Sequence, residues 1–198
     1  MRGRCRRGLA LMALVSAAGL PPSAGADPTA GQLLAPLAEV AALEAQFRET
    51  KFLRLLTEPL ELRGTLHYRA PDYLEKRVTD PYPSTSVVEG EWLTTTQPGE
   101  GPRHWSLEGY PALGALAESL RAIVGGDVAR LERHYHLAAR GDLGAWTVTL
   151  TPRVEALTNL LATITVAGGE GRIHRVTVVE ADGDRSVTTI VATAVERR

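Results

Sequence analysis

The chain has 198 residues, 22 basic and 23 acidic side chains, a net charge of −1 and 44% hydrophobic residues, proportions that suit one folded domain with room for a core. Its one cysteine, Cys5, and its two methionines, Met1 and Met12, all lie in the first dozen residues. Beyond them disulfides, thiol nucleophiles and thiolate metal sites are excluded, and the absence of a basic excess argues against a nucleic-acid partner.

The N-terminus reads as an export signal. Arg2, Arg4, Arg6 and Arg7 precede an apolar run over residues 9–20, and Ala24-Gly25-Ala26 supplies small residues at a cleavage site. Residues 1–26 are therefore expected to be removed, leaving 27–198 as a single exported, periplasmic domain. The run is short for a bilayer span. Arg6-Arg7 leaves general secretory and twin-arginine export both open, and Cys5 lies outside a lipid-attachment position. Cleavage lowers the basic count from 22 to 18 against 23 acidic residues, so the mature chain is acidic.

Over residues 28–47, Leu33, Leu37, Val40, Leu43 and Phe47 recur at steps of three and four, which predicts an amphipathic helix with Pro36 near its first turn. The pattern then changes. In 62–68, Leu62, Gly64, Leu66 and Tyr68 share one strand face while Arg63, Thr65 and His67 share the other. Pro71-Asp72 turns the chain into a partner strand over 73–79, and further strands are expected at 85–88, 92–96 and 103–107. A second helix is signalled over 111–124 by Pro111 at its start, the stripe Leu113, Leu116, Leu120, Ile123, and the stop Gly125-Gly126. Strands at 133–139, 145–150, 161–167, 173–180 and 186–194 follow.

Turn chemistry joins the strands. Glu89-Gly90-Glu91, Gln97-Pro98-Gly99, Gly168-Gly169-Glu170-Gly171 and Asp182-Gly183-Asp184 read as hairpin connections, which makes the sheet antiparallel. The class is α+β, mainly β. Two helices against about ten strands predicts a sheet that curls or closes, with a concave apolar face that is either filled or left as a cavity under the helices.

Little in the sequence speaks for catalysis. His134-Tyr135-His136 puts two imidazoles on one strand face at a metal-compatible spacing, but no third ligand is nearby, and the pair reads as polar decoration around a buried Tyr135. His67, His104 and His174 are scattered singly. Asp182-Gly183-Asp184 lacks the further oxygens of a calcium loop, and the 168–171 glycines join two strands, with no helix N-terminus to receive phosphate. No catalytic residue, metal or cofactor is assigned. Trp92, Trp105 and Trp146, with Tyr68 and Tyr135, fall in strands and could fill a core or line an acyl pocket.

The order of segments resembles the LolA family of periplasmic lipoprotein carriers, and most its divergent LolA-related branch. The resemblance is carried by Gly64, Leu66, Tyr68, Pro71, Asp72 and Leu74; by Val87-Val88-Glu89-Gly90 with Trp92-Leu93; by Trp146-Thr147-Val148-Thr149-Leu150-Thr151-Pro152; and by Gly171-Arg172-Ile173-His174-Arg175 and Asp182-Gly183-Asp184-Arg185-Ser186. It implies an incomplete antiparallel β-barrel with helices as a lid over a hydrophobic cavity. It further implies a non-enzymatic carrier or chaperone, acting as a monomer, that moves the acyl chains of lipoproteins or glycolipids from an inner-membrane release complex to an outer-membrane acceptor.

By strand parity and helix stripe, the residues expected to line the lipid-binding cavity are Leu66, Tyr68, Leu74, Trp92, Leu113, Leu116, Leu120, Trp146, Val148 and Ile164. The better-known carriers place an arginine, which latches the lid, directly before the proline matching Pro71. Here Ala70 stands there, and Arg69, one residue earlier, belongs on the opposite face, so the role is not transferred to it. The sequence also ends soon after its last strand, so glycolipid or another acylated product is expected as cargo as readily as lipoprotein. Two other readings stay open: a non-catalytic structural or interaction subunit of an envelope complex with a filled core, and a hydrolase acting on envelope substrates.

Overall fold

A computed structural model describes residues 28–198, so the expected signal segment lies outside the described residues. Eleven antiparallel strands form one sheet: β1 (Val40–Phe52), β2 (Leu60–Arg69), β3 (Tyr73–Asp80), β4 (Ser84–Glu89), β5 (Trp92–Thr96), β6 (Arg103–Ser106), β7 (Tyr135–Gly141), β8 (Trp146–Pro152), β9 (Leu161–Gly169), β10 (Arg172–Glu180) and β11 (Arg185–Arg197). Their spatial order is β6-β5-β4-β3-β2-β1-β11-β10-β9-β8-β7. Hairpins build each wing outward from the centre, and β1 with β11 closes the seam between the first and last strands. Because β6 and β7 remain unpaired edges, the curved sheet is an incomplete barrel.

The helix expected over 28–47 is the main correction. Among the described residues, only α1 (Ala30–Leu34) and a 3-10 turn, Ala35–Leu37, are helical before β1 begins at Val40. Thr29 caps α1: its hydroxyl accepts from the Gln32 N–H, and the Gln32 side chain accepts from the Thr29 N–H at 2.8 Å. Leu37, Val40, Leu43 and Phe47 do fit helical steps. Yet Leu43, Ala45, Phe47 and Glu49 also alternate with Glu44, Gln46 and Arg48, and pairing with β2 from Ala42 to Lys51 and with β11 from Val40 to Phe52 decides in favour of the strand. The inward set of β1 is accordingly Leu43, Ala45, Phe47 and Glu49.

Three further helices follow: α2 (Pro111–Val124), α3 (Val128–Glu132) and α4 (Glu155–Thr158). α2 runs as the sequence predicts, with Pro111 at its first position and Gly125 at its end. The short α3 and α4 carry no comparable sequence signal, and their packing explains why the interior divides in two. Over β7–β9, the helices α1, α3, α4 and the end of α2 bury Leu33, Leu34, Ile123, Leu131 and Leu157 against Tyr135, Trp146, Val148, Leu150, Ile164 and Val166. That end is solid.

At the other end Ala117 and Leu113 of α2 pack on Val88, Leu93 and Leu107. α2 therefore spans the concave face like a strap fixed at both ends. Its far end is pinned by Gly126, which leaves the helix at φ +64 so close to α1 that a Cβ would meet the Leu34 carbonyl and the Ala38 N–H. A glycine is needed there for close approach and for the left-handed backbone, which makes Gly126 an anchor for the strap.

Candidate functional site

Beneath α2, between its two packed ends, the sheet leaves an elongated cavity of about 420 Å³. Its floor comes from Leu43 and Ala45 of β1, Leu66 of β2, Leu74 of β3, Val176 and Val178 of β10, and Ile190 and Val195 of β11. Its roof is Leu116, Leu120, Ile123 and Val124 of α2, and Leu37 and Val40 close one end. Strand geometry explains the single apolar face: cross-strand partners Leu43↔Tyr68, Ala45↔Leu66, Tyr68↔Leu74 and Val176↔Thr188 point to the same side. From Val40 to Glu49 the wall follows one strand for roughly 30 Å.

The end away from Leu37 is different. Glu49, Lys76, Glu180, Ser186 and Thr188 line it. The Lys76 ammonium donates to a Glu49 carboxylate oxygen at 2.6 Å and lies 5.1 Å from the centroid of the Phe47 ring. The Glu49 side chain is 4% exposed and that of Lys76 34%, so the carboxylate sits in the wall and the lysine reaches it from the more open side.

Polar ties hold the strap. Arg121 Nη2 donates to the Gly90 carbonyl at 2.9 Å, joining α2 to the β4–β5 turn. One turn earlier on the helix, Glu118 accepts from Arg133 at 2.6 Å and contacts His134 Nε2 at 2.9 Å. The hydroxyl of Tyr68 lies under Gly125, where a Cβ would stand 2.8 Å from it; burial pushes this phenol up from its ordinary value of 10.0, opposed by the nearby Arg198, Arg130 and Arg121. Arg69 points away from the strap, over the Tyr73 ring and toward Glu89 at 3.5 Å, as its strand parity requires.

Of the ten residues expected to line the cavity, the structure brings Leu66, Leu74, Leu116 and Leu120 to it. Trp146, Val148 and Ile164 face inward as parity predicts, but they lie under α1, α3 and α4 in the solid end, at 3%, 0% and 0% exposure. Leu113 packs against Val88 and Leu107, and Tyr68 is buried beneath the end of α2. Trp92 is on the other face: it pairs with Glu89 while Leu93 pairs with the inward Val88, and it is exposed. Sequence reasoning missed Leu43, through the misread helix, and also Val176, Val178 and Ile190, which inward parity within the expected strands could have supplied; Val195 lies past the strand expected over 186–194 and beyond a register shift that reverses the parity. Glu49 and Lys76 had no signal, since a charged residue in a strand reads as outward. His134 precedes β7 and is taken up by Glu118, His136 is exposed, and the described residues contain no cluster of three or more histidines or acidic residues placed to hold a metal.

The family model described as outer membrane lipoprotein carrier protein LolA-like matches residues 21–197. Among solved structures, a LolA superfamily protein from Nitrosomonas europaea is similar at 14% identity and TM-score 0.47, over 86% of this chain and 95% of that one. The MucA/MucB complex of Pseudomonas aeruginosa gives 14% identity and TM-score 0.44, over 84% of this chain and 56% of the other. A DUF1329 family protein from Desulfovibrio piger gives 8% identity and TM-score 0.47, over 84% and 90%. No curated protein matches the sequence.

Proposed function

The chain belongs to the outer membrane lipoprotein carrier protein LolA-like family, and on that premise we propose that it is a periplasmic, non-enzymatic carrier of acylated cargo. The observation that carries this reading is the unfilled apolar trough between the two packed ends of α2. Its volume of about 420 Å³ lies within the roughly 300–1,000 Å³ usual for small-molecule sites, and its lining offers hydrocarbon contacts along most of its length.

Energetics suit a carrier that must release what it binds. Burying an acyl chain is worth roughly 0.8 kcal/mol per methylene, so a long chain supplies on the order of 10 kcal/mol before ordering costs. An empty cavity costs some tens of cal/mol per Å³ of void, so a filled trough is also a more stable protein. α2 is held across the trough by packing at its ends and by few polar ties; Ile123 fixes its far end to the β7–β9 core, so the side tied to Gly90 is the one placed to lift. A filled-core interaction subunit accounts for the solid end but not for the trough.

The test is to purify the exported protein from cells and identify what it carries. Extraction should yield an acylated molecule, and lipoprotein or fatty acyl compounds should displace a fluorescent acyl probe. Protein that carries no lipid and binds no acyl probe would end this reading.

A further inference from the structure

We propose that the Glu49–Lys76 pair is a subsite for the junction between the hydrocarbon tail and the polar part of the cargo, and that it selects a neutral junction bearing both a hydrogen-bond donor and an acceptor, as in an acylglycerol or an N-acyl compound. This inference rests on the carrier reading of the same cavity.

The pair is costly where it stands. On β1 the inward positions before Glu49 are Leu43, Ala45 and Phe47, and on β3 Lys76 lies between the inward Leu74 and Val78. Glu49 is buried at 3% exposure. A buried ion pair is commonly no more stable than apolar side chains of similar volume in its place, so packing alone does not call for it. What the pair adds is a polar patch at one end of a greasy trough, facing the Ser186 and Thr188 hydroxyl positions on β11. Leu37 and Val40, with the anchored end of α2, close the opposite end, where the exposed Arg172 stands at the rim. A molecule with a hydrocarbon tail and one polar terminus is therefore oriented: tail toward Leu37, junction at Glu49 and Lys76.

The chemistry of the pair defines the junction. The ammonium has three donors; one goes to Glu49, and others can be given to an ester or amide carbonyl. The carboxylate accepts from a hydroxyl or amide N–H. As a unit the pair is neutral, so a free carboxylate or phosphate at the same place brings a negative charge beside Glu49, and toward Glu180 in the same lining, while the Lys76 ammonium is already engaged by Glu49. A free fatty acid thus pays for the like charge, whereas a monoacylglycerol with the same tail does not.

The experiment measures displacement of a fluorescent acyl probe from delipidated protein by 1-monopalmitoylglycerol and by palmitate. The wild-type protein should bind the glyceride about tenfold or more tighter. Glu49→Gln, which leaves Lys76 without its counter-ion, should reverse the order in favour of palmitate; Lys76→Gln, at the more exposed partner, should widen the preference for the glyceride. Equal affinities in the wild type, or an unchanged ratio in folded variants, overturns the subsite while leaving the carrier reading intact. Palmitate bound more tightly by the wild type also overturns it and makes Lys76 a carboxylate receptor. If neither compound displaces the probe from any protein, both readings fall.

Discussion

Arg121 reaches from the last turn of α2 to the carbonyl of Gly90, 2.9 Å away in the β4–β5 turn, so the strap over the trough carries its own fastening to the wing of the sheet. The fastening runs from helix to sheet. Arg69, on the sheet and next to the cis-linked Ala70-Pro71, faces elsewhere, so the chain holds its cover by a different residue from the position the family resemblance draws attention to.

Arg121→Met keeps the aliphatic stem and removes the hydrogen bond. A hydrogen bond from a charged donor contributes about 1.5 kcal/mol or more, so opening of α2 on the Gly90 side should become easier by about tenfold. Release of a bound fluorescent acyl probe, followed by stopped flow, should accelerate by that factor, and amide exchange over 111–124 should rise. Global stability should change less, because the same guanidinium buries an Nε that finds no partner, a desolvation cost that the variant removes.

The two-part interior predicts unequal costs for similar truncations. Ile164 is fully buried in the solid end, and Ile164→Ala should cost about 3–4 kcal/mol, read from urea unfolding. Leu120 borders the trough and is only half-buried, so Leu120→Ala should cost about 1 kcal/mol, since there the cavity already exists. Leu120→Trp should leave the melting temperature unchanged or higher while weakening acyl-probe binding about tenfold or more, because the added rings occupy the space the tail needs.

Two glycines should resist even alanine. At Gly64 a Cβ would run into the Arg77 carbonyl and the Phe47 ring, at a position where the β2–β3 register shifts. At Gly126 it would meet backbone atoms of Leu34 and Ala38, and φ is +64 besides. Each substitution should destabilise by about 2–3 kcal/mol. Gly126→Ala should in addition free the end of α2, seen as faster exchange there, whereas Gly64→Ala should not.

Alkaline pH should destabilise the fold. Burial raises the phenols of Tyr68 and Tyr135, and a hydrogen bond to Glu75 raises that of Tyr73, above the ordinary 10.0. A group whose folded value is raised contributes stability that is full below its unfolded value and is lost as pH climbs toward the folded one. Stability measured by denaturant should therefore fall above pH 10. An ultraviolet titration of the folded protein should show these three phenols ionising late, with Tyr68 moving later still in Arg121→Met, which loses one of the cations opposing its upward shift.

Most of the strands and the long helix were legible because their signals are local. Alternation over 62–68, the glycine turns at 89–91 and 182–184, and Pro111 with Gly125-Gly126 each specify structure from residues within a few positions. The 28–47 stretch was not, because its apolar spacing satisfies both a helical and a strand period, and only hydrogen bonds to β2 and β11 separate the two.

The sequence by itself determined the class of the fold, the parity of most inward apolar side chains in the strands it identified and the amphipathic stripe of α2, since these follow from periodicities that need no knowledge of the rest of the chain. Tertiary structure alone decided which inward side chains line a void. Trp146, Val148 and Ile164 face inward as surely as Leu66 and Leu74, but short helices weakly encoded in sequence settle on the former and not on the latter. The Glu49–Lys76 contact was decided in the same way: its partners are 27 residues apart, and they meet only because three strands bring their inward faces together.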